Sequence, residues 1–121
     1  MSACDLSVII VSWNVRELLP ACLESLAAEL ERNALSSEVF VVDNGSTDGT
    51  VELVRERYPW VRLIALGENR GFSAANNIGI AASHGRAVLL LNPDTEILPG
   101  AIHWLWHALD AAPHVGLVGA R

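Results

Sequence analysis

Cysteine, basic charge and the glycine-rich phosphate loops are sparse or missing from this chain, and each shortage narrows what it can be. Only Cys4 and Cys22 are present, far apart and without paired metal-ligand spacing. Cys22 falls on an apolar helical face, where a buried reduced thiol is a better reading than a functional one. Lys and Arg number 8 against 14 Asp and Glu, a net charge of −6. No basic stripe exists to neutralise phosphates, so nucleic acid is disfavoured as a partner. No apolar run approaches the about 18 residues of a transmembrane helix, and Met1–Asp5 lacks the charged start of a signal peptide. A cytoplasmic protein is expected. Neither a Walker lysine loop nor GxGxxG follows the first strand, which argues against a nucleoside triphosphatase or a dehydrogenase. GxSxG and HExxH are missing too. His103 and His107 stand at i and i+4, but between Trp104 and Trp106 they read as an exposed helix face rather than a zinc site.

What is present is a chain of 121 residues, 51% hydrophobic, enough for one modest domain with a real core. Leu6–Val11 reads as a strand, followed by a helix from about Val15 to Arg32 whose apolar positions Leu18, Leu19, Cys22, Leu23, Leu26, Ala27 and Leu30 recur at helical spacing. Pro20 lies in or near its first turns. Glu38–Asp43 is a second strand, and Ser46 or Thr47 is expected to cap a helix running to Arg57. Val61–Leu66 gives a third strand. A small-faced helix spans Phe72 to about Ser83, with Gly85 as its left-handed stop. Ala87–Leu91 is an unbroken apolar run of the kind buried on both faces of a sheet. Pro99 opens a helix through Leu109 or Ala111, and Val115–Val118 is a last strand.

This alternation predicts an α/β fold: a doubly wound, mainly parallel sheet with helices on both faces and right-handed crossovers. An order 3-2-1-4 would bring the polar ends of the first, second and fourth strands to one rim. The chain stops at Arg121 just after a strand, so a truncated domain, a fragment of a longer protein, is expected.

The fourth strand ends abruptly at Asn92-Pro93-Asp94-Thr95, because Pro93 cannot donate to a ladder. Asp94 thus sits where parallel sheets bind ligands. A magnesium or manganese ion needs few protein carboxylates when phosphates supply its other oxygens, so one acid suffices. Asp94 could instead cap the following turn, and Glu96 is more readily a solvated acid than a second ligand. Asp43 and Asn44 can accept an imide N–H and bond a ribose hydroxyl, or, with Ser46, simply build a turn. Trp13 can stack on a base or pack at the rim. Arg70, before Gly71 at a strand-to-helix junction, can meet phosphate or remain in solvent.

Taken together, SVIIVSWN, VVDNGSTDGT, ENRGFSAANNIGI and LLLNPDTEI, in this order and spacing, resemble the family 2 glycosyltransferases of the GT-A, Rossmann-like fold, with the rhamnosyltransferase-like bacterial branch the nearest in form. The resemblance covers essentially the whole chain but only the nucleotide-binding half of the family's catalytic domain. It implies that residues 1–121 hold a nucleotide-sugar donor through Ser12, Trp13, Asp43, Asn44, Ser46, Arg70, Asn77, Asn92 and Asp94. Trp13 stands where the family usually has a tyrosine. Asn44 and Asn92 replace acids of the family's Asp-Asp and Asp-x-Asp motifs, leaving Asp94 as the one expected ligand of a divalent metal, Mg or Mn. Asn77 and Gly79 match its Asn-x-Gly.

The implied reaction is metal-dependent transfer from a UDP- or dTDP-sugar, dTDP-rhamnose among them, with inversion. The acceptor is a saccharide or a lipid-linked one, which makes the membrane surface a further expected partner, and a homo-oligomer is left open. The general base is expected beyond Arg121, so the chain alone is expected to bind nucleotide weakly or not at all and not to turn over. A sugar-phosphate nucleotidyltransferase is the runner-up, although it would want a glycine-rich basic loop where Ser12-Trp13-Asn14-Val15 stands. A non-catalytic nucleotide-binding module is the third reading.

Overall fold

The β-branched run at the start of the chain becomes the central strand, β1 (Cys4–Ser12), buried from Leu6 onward. The computed structural model describes residues 4–33, 35–111 and 117–120, with 108–111 and 117–120 as backbone only. Around β1 lie β2 (Ser37–Asp43), β3 (Arg62–Ala65), β4 (Gly85–Leu91) and β5 (Leu117–Ala120), in the order β3-β2-β1-β4-β5. All neighbouring pairs are parallel. The expected order therefore holds, with β5 added outside β4. Its bounds lie later than the expected Val115–Val118, of which Val115 and Gly116 fall outside the described residues.

Helices cover both faces, but unequally. On one face α1 (Leu19–Asn33), α2 (Thr50–Arg57) and α4 (Ala101–Ala111) bury Leu23, Leu26, Val54 and Ile102 against Val8, Ile10, Val41 and Leu89. On the other lies α3 (Phe72–Ala82), packed over β1 and β2. Its small face lets it approach closely: a Cβ added to Gly79 would lie 2.6 Å from Ile9 Cγ2. In β4, Ala87, Leu89 and Leu91 are buried in the core on the α1 and α4 face, while Val88 and Leu90, on the α3 face, are only half-buried. The expectation of a strand buried on both faces is thus corrected to one full face and one partial one.

Three local expectations change for physical reasons. The first helix runs from Leu19, not Val15, preceded by a turn in which the N–H groups of Leu18 and Leu19 both bond the Val15 carbonyl. Leu18 consequently stands outside the helix and exposed, whereas Pro20 does lie in the first turn. The second helix is capped by Gly49 rather than Ser46 or Thr47, whose polar atoms are used between loops. Gly85 is not a left-handed stop: α3 ends at Ser83 in extended conformation and Gly85 opens β4. Its small size serves packing, because an added Cβ would come within 2.5 Å of Ser7 N.

Candidate functional site

The carboxyl ends of β1 and β2 are level, Ser12 facing Asp43, while β4 ends at Leu91 beside Ile10. The strand sequence runs one way from β1 through β2 to β3 and the other way through β4 to β5. The crevice outside β1 and β4 is therefore the switch point at which open α/β sheets bind ligands.

Asp43 lies almost fully buried beneath that rim. Its Oδ1 accepts the hydroxyls of Ser12 at 2.7 Å and Ser46 at 2.6 Å, and its Oδ2 accepts the Ser46 N–H at 2.8 Å. Ser46 Oγ in turn accepts the Asn14 N–H at 2.8 Å, and Asn14 Oδ1 accepts the Thr47 N–H at 2.8 Å. The Arg16 N–H reaches Asp48 Oδ2 at 3.1 Å. The loops after β1 and β2 are thus laced together. Burial pushes the Asp48 carboxyl up, but hydrogen bonds from the Thr50 hydroxyl and the Arg16 and Thr50 N–H groups outweigh it and hold the acid below its ordinary range.

Asn44 laces the next loop. Its Oδ1 accepts the Arg70 N–H at 3.1 Å and its Nδ2 donates to the Gly71 carbonyl at 3.2 Å. Asp43, Asn44 and Ser46 thus all have their polar atoms engaged in hydrogen bonds that join the loops.

The loop carrying Asp94 is gripped by α1. Asn92-Pro93-Asp94-Thr95 forms a turn closed by the Thr95 N–H on the Asn92 carbonyl at 3.1 Å. Cys22 Sγ lies 3.8 Å from the same carbonyl, Ser25 Oγ accepts the Ile97 N–H at 2.9 Å, and Glu29 Oε1 accepts the Gly100 N–H at 2.7 Å. Burial, and then the charge of Asp94, push the Cys22 thiol up to about 12, so it is an inert group under the loop.

Above these clasps opens a cavity of about 300 Å³, whose aromatic lining is Trp13 and Phe72 and whose polar lining is Asn44, Asn69 and Asn92, with Pro93 beside them. The fold gathers Trp13, Asn44 and Asn92 at this cavity, with Ser12, Asp43 and Ser46 in the hydrogen-bonded layer at its strand ends. It does not bring Arg70, Asn77 or Asp94 into the lining. Arg70 Nε lies 3.5 Å from Glu68 Oε1 in an exposed pair, and Asn77 is exposed on α3. Asp94 is exposed, and among the described residues no hydrogen bond or ion pair engages its carboxylate. The alternative of Asp94 as a turn cap thus finds no partner. Asn69 and Phe72 line the cavity although neither was singled out as a site residue. The available signal was an aromatic directly after Gly71 at a helix start.

Among the described residues no cluster of three or more His, Cys, Asp or Glu side chains could hold a metal by itself. One free, hard carboxylate fits a divalent cation carried mainly by phosphate oxygens and water, not a resident protein-bound ion. His103 and His107 lie ring to ring at 4.4 Å on an exposed stretch of α4.

A parallel, doubly wound sheet with a crevice of about 300 Å³ at its switch point is an α/β architecture of the kind the GT-A fold has. Residues 7–121 match Glycosyl transferase family 2, and the chain belongs to that family. It is 35% identical, over 94% of its length and 40% of the relative's, to N-acetylglucosaminyl-diphospho-decaprenol L-rhamnosyltransferase of Mycobacterium tuberculosis. TarS 1-349 of S. aureus in complex with UDP-GlcNAc superposes with a TM-score of 0.70 at 26% identity, over 88% of this chain and 31% of that one. The mannosyltransferase PcManGT of Pyrobaculum calidifontis, in complex with GDP-Man and Mn2+, gives 0.65 at 28% identity, over 79% and 29%. The chain thus spans two-fifths or less of the length of each of these proteins.

Proposed function

We propose that this chain is the donor-binding part of a glycosyltransferase that moves a sugar from a nucleoside-diphosphate sugar to an acceptor hydroxyl with inversion. The observation that carries the reading is the cavity at the switch point, with an aromatic lining, amide groups beside it and the free carboxylate of Asp94 on the adjoining loop. Trp13 stacks on the base, Asn92 bonds the ribose or sugar, and the β1, β2 and β3 end loops, held by Asp43 and Asn44, keep the cavity shaped before ligand arrives. Asp94 would hold a magnesium or manganese ion, which when bound would supply positive charge to offset that of the diphosphate leaving group. Arg70, released from its exposed pair with Glu68, adds positive charge on the same side; such pairs contribute little, so exchanging the partner costs little. The base is uracil or thymine, and dTDP-rhamnose is one donor among several, with the similarity to the mycobacterial rhamnosyltransferase supporting a rhamnosyl group. That relative's name also supports a lipid-linked acceptor at a membrane surface. No residue of this chain is assigned as the general base for the acceptor.

Trp13, Phe72, Asn44, Asn69 and Asn92 line the cavity, so millimolar UDP or dTDP should give measurable, if weak, binding. Calorimetric or NMR titration of UDP, dTDP and GDP with and without manganese tests the reading. Binding that strengthens with manganese and loses that gain in Asp94→Ala is expected; binding indifferent to metal in both proteins would count against it.

A further inference from the structure

We propose that Phe72 is a second aromatic wall of the base slot, and that Asn44 is a positioning residue that sets Phe72 through the backbone of Arg70 and Gly71. This rests on the nucleotide-sugar reading above and adds to it a residue that governs how strongly the base, as distinct from the diphosphate, is held.

Phe72 is 59% exposed and Trp13 is 53% exposed, yet both line the same cavity. Among the described residues the aromatic pairs lie elsewhere, at Tyr58–Trp60 and His103–His107. Neither ring is stored in a core. Two large aromatics left to water at one crevice suit a flat heteroaromatic ligand, since every base offers a π-face.

The backbone before Phe72 is fixed with unusual thoroughness for an exposed loop. Gly71 has φ 86° and ψ 161°, a conformation open essentially to glycine alone. Asn69 Oδ1 accepts the Gly71 N–H at 2.8 Å. The Gly71 carbonyl accepts both the Ala75 N–H, the first bond of α3, and Asn44 Nδ2. Asn44 Oδ1 holds the Arg70 N–H at the same time. A buried side chain at the end of β2 thereby sets where α3 begins and where its first side chain stands. Stacking does not discriminate strongly among bases, so Phe72 should govern affinity for a nucleotide over bare diphosphate rather than the choice of base.

The test is titration of UDP and of pyrophosphate, each with manganese, against the 121-residue protein and its variants by NMR. Phe72→Ala, at an exposed position that leaves the core intact, should weaken UDP about tenfold, as expected for one lost base stack, and leave pyrophosphate unchanged. Phe72→Tyr should retain UDP binding. Asn44→Ala should weaken UDP in the same ligand-selective way, and Asn44→Ala combined with Phe72→Ala should be no weaker than the poorer single variant, because both act through one ring. Equal UDP affinity in Phe72→Ala and the unaltered protein would overturn the role of Phe72 while leaving the nucleotide-sugar reading in place. Additive losses in the double variant would overturn the positioning role of Asn44. An unaltered protein that binds neither ligand at millimolar concentration would remove both proposals together.

Discussion

Ser12 donates its hydroxyl to Asp43 Oδ1 at 2.7 Å, from the last residue of β1 to the last residue of β2, with both side chains sealed from solvent. This bond, repeated by the Ser46 hydroxyl on the same oxygen, makes Asp43 the junction of the two strand ends. Its other oxygen takes the Ser46 N–H. Asp43→Asn keeps the shape but replaces one acceptor oxygen with a donor, so at least one of the three donors is left facing an N–H group. Hydrogen bonds to charged groups contribute about 1.5–3 kcal/mol, and an unsatisfied buried donor costs a similar amount. We expect Asp43→Asn to lower stability by about 1–3 kcal/mol, seen as a lower urea midpoint at unchanged slope. A midpoint matching the unaltered protein would show that the bonds are dispensable.

Cysteine reactivity gives an independent check of the packing under the Asn92–Gly100 loop. Only thiolate reacts with disulfide or alkylating reagents, and burial with the nearby Asp94 charge puts the Cys22 thiol at about 12. Cys4 is partly exposed. In native protein at pH 8, Cys4 should be modified readily and Cys22 only after denaturant is added, with mass spectrometry assigning the sites. Rapid native labelling of Cys22 would mean that α1 does not cover the loop as described.

Glu38 supplies the pH dependence. Burial raises its pKa, but hydrogen bonds from the Ser7 hydroxyl, the His84 N–H and the His84 ring, together with the His84 charge, bring it below the ordinary 4.5. Arg62 Nη1 lies 3.4 Å from the same carboxylate. A folded-state value below the unfolded one means the stabilisation is complete above about pH 4.5 and is lost as pH falls through the depressed folded value. Thermal unfolding followed from pH 7 to pH 3 should therefore fall away at the acid end, and Glu38→Gln should flatten that fall relative to its own value at pH 7. The same acid slope in both proteins would assign the effect to other carboxylates.

Much of this architecture is legible in the sequence, and the misses share a cause. The alternation of strands and helices follows from apolar runs separated by helical spacing, the order 3-2-1-4 comes by analogy with doubly wound sheets, and the small residues of α3 foretell its close approach to Ile9 and Val42. Helix starts were misplaced at Val15 and at Ser46 or Thr47 because the same residue types that cap helices here join neighbouring loops, as in Asn14 with Ser46 and Thr47. Glu29 is a buried acid on α1. It is 2% exposed because its partner, the Gly100 N–H, lies about seventy residues away and has no local signature. The half-covered state of Val88 and Leu90 likewise depends on tertiary packing, which periodicity does not encode. At the site, Trp13, Asn44 and Asn92 come together at one cavity, but the bonds Asn44 makes to Arg70 and Gly71 depend on tertiary partners that have no local signature.

Asn14 combines a strained backbone with two loop-joining bonds, and separating them gives the last prediction. Its φ is 50°, the one positive value outside glycine among the described residues. Asparagine tolerates that region better than other non-glycine residues, and its Oδ1 holds the Thr47 N–H. Asn14→Gly relieves the backbone but loses the side-chain bond; Asn14→Ala loses the bond and adds the left-handed penalty of about 1–2 kcal/mol. Thermal unfolding should therefore rank the unaltered protein above or level with Asn14→Gly and both clearly above Asn14→Ala. Because Asn14 follows Trp13 directly, the indole emission of the Asn14→Ala protein should also shift as Trp13 loses its fixed position at the cavity. If the alanine and glycine variants unfold together, the positive φ is not maintained in solution, and the lacing between the loops after β1 and β2 rests on Ser46 and Asp48 instead.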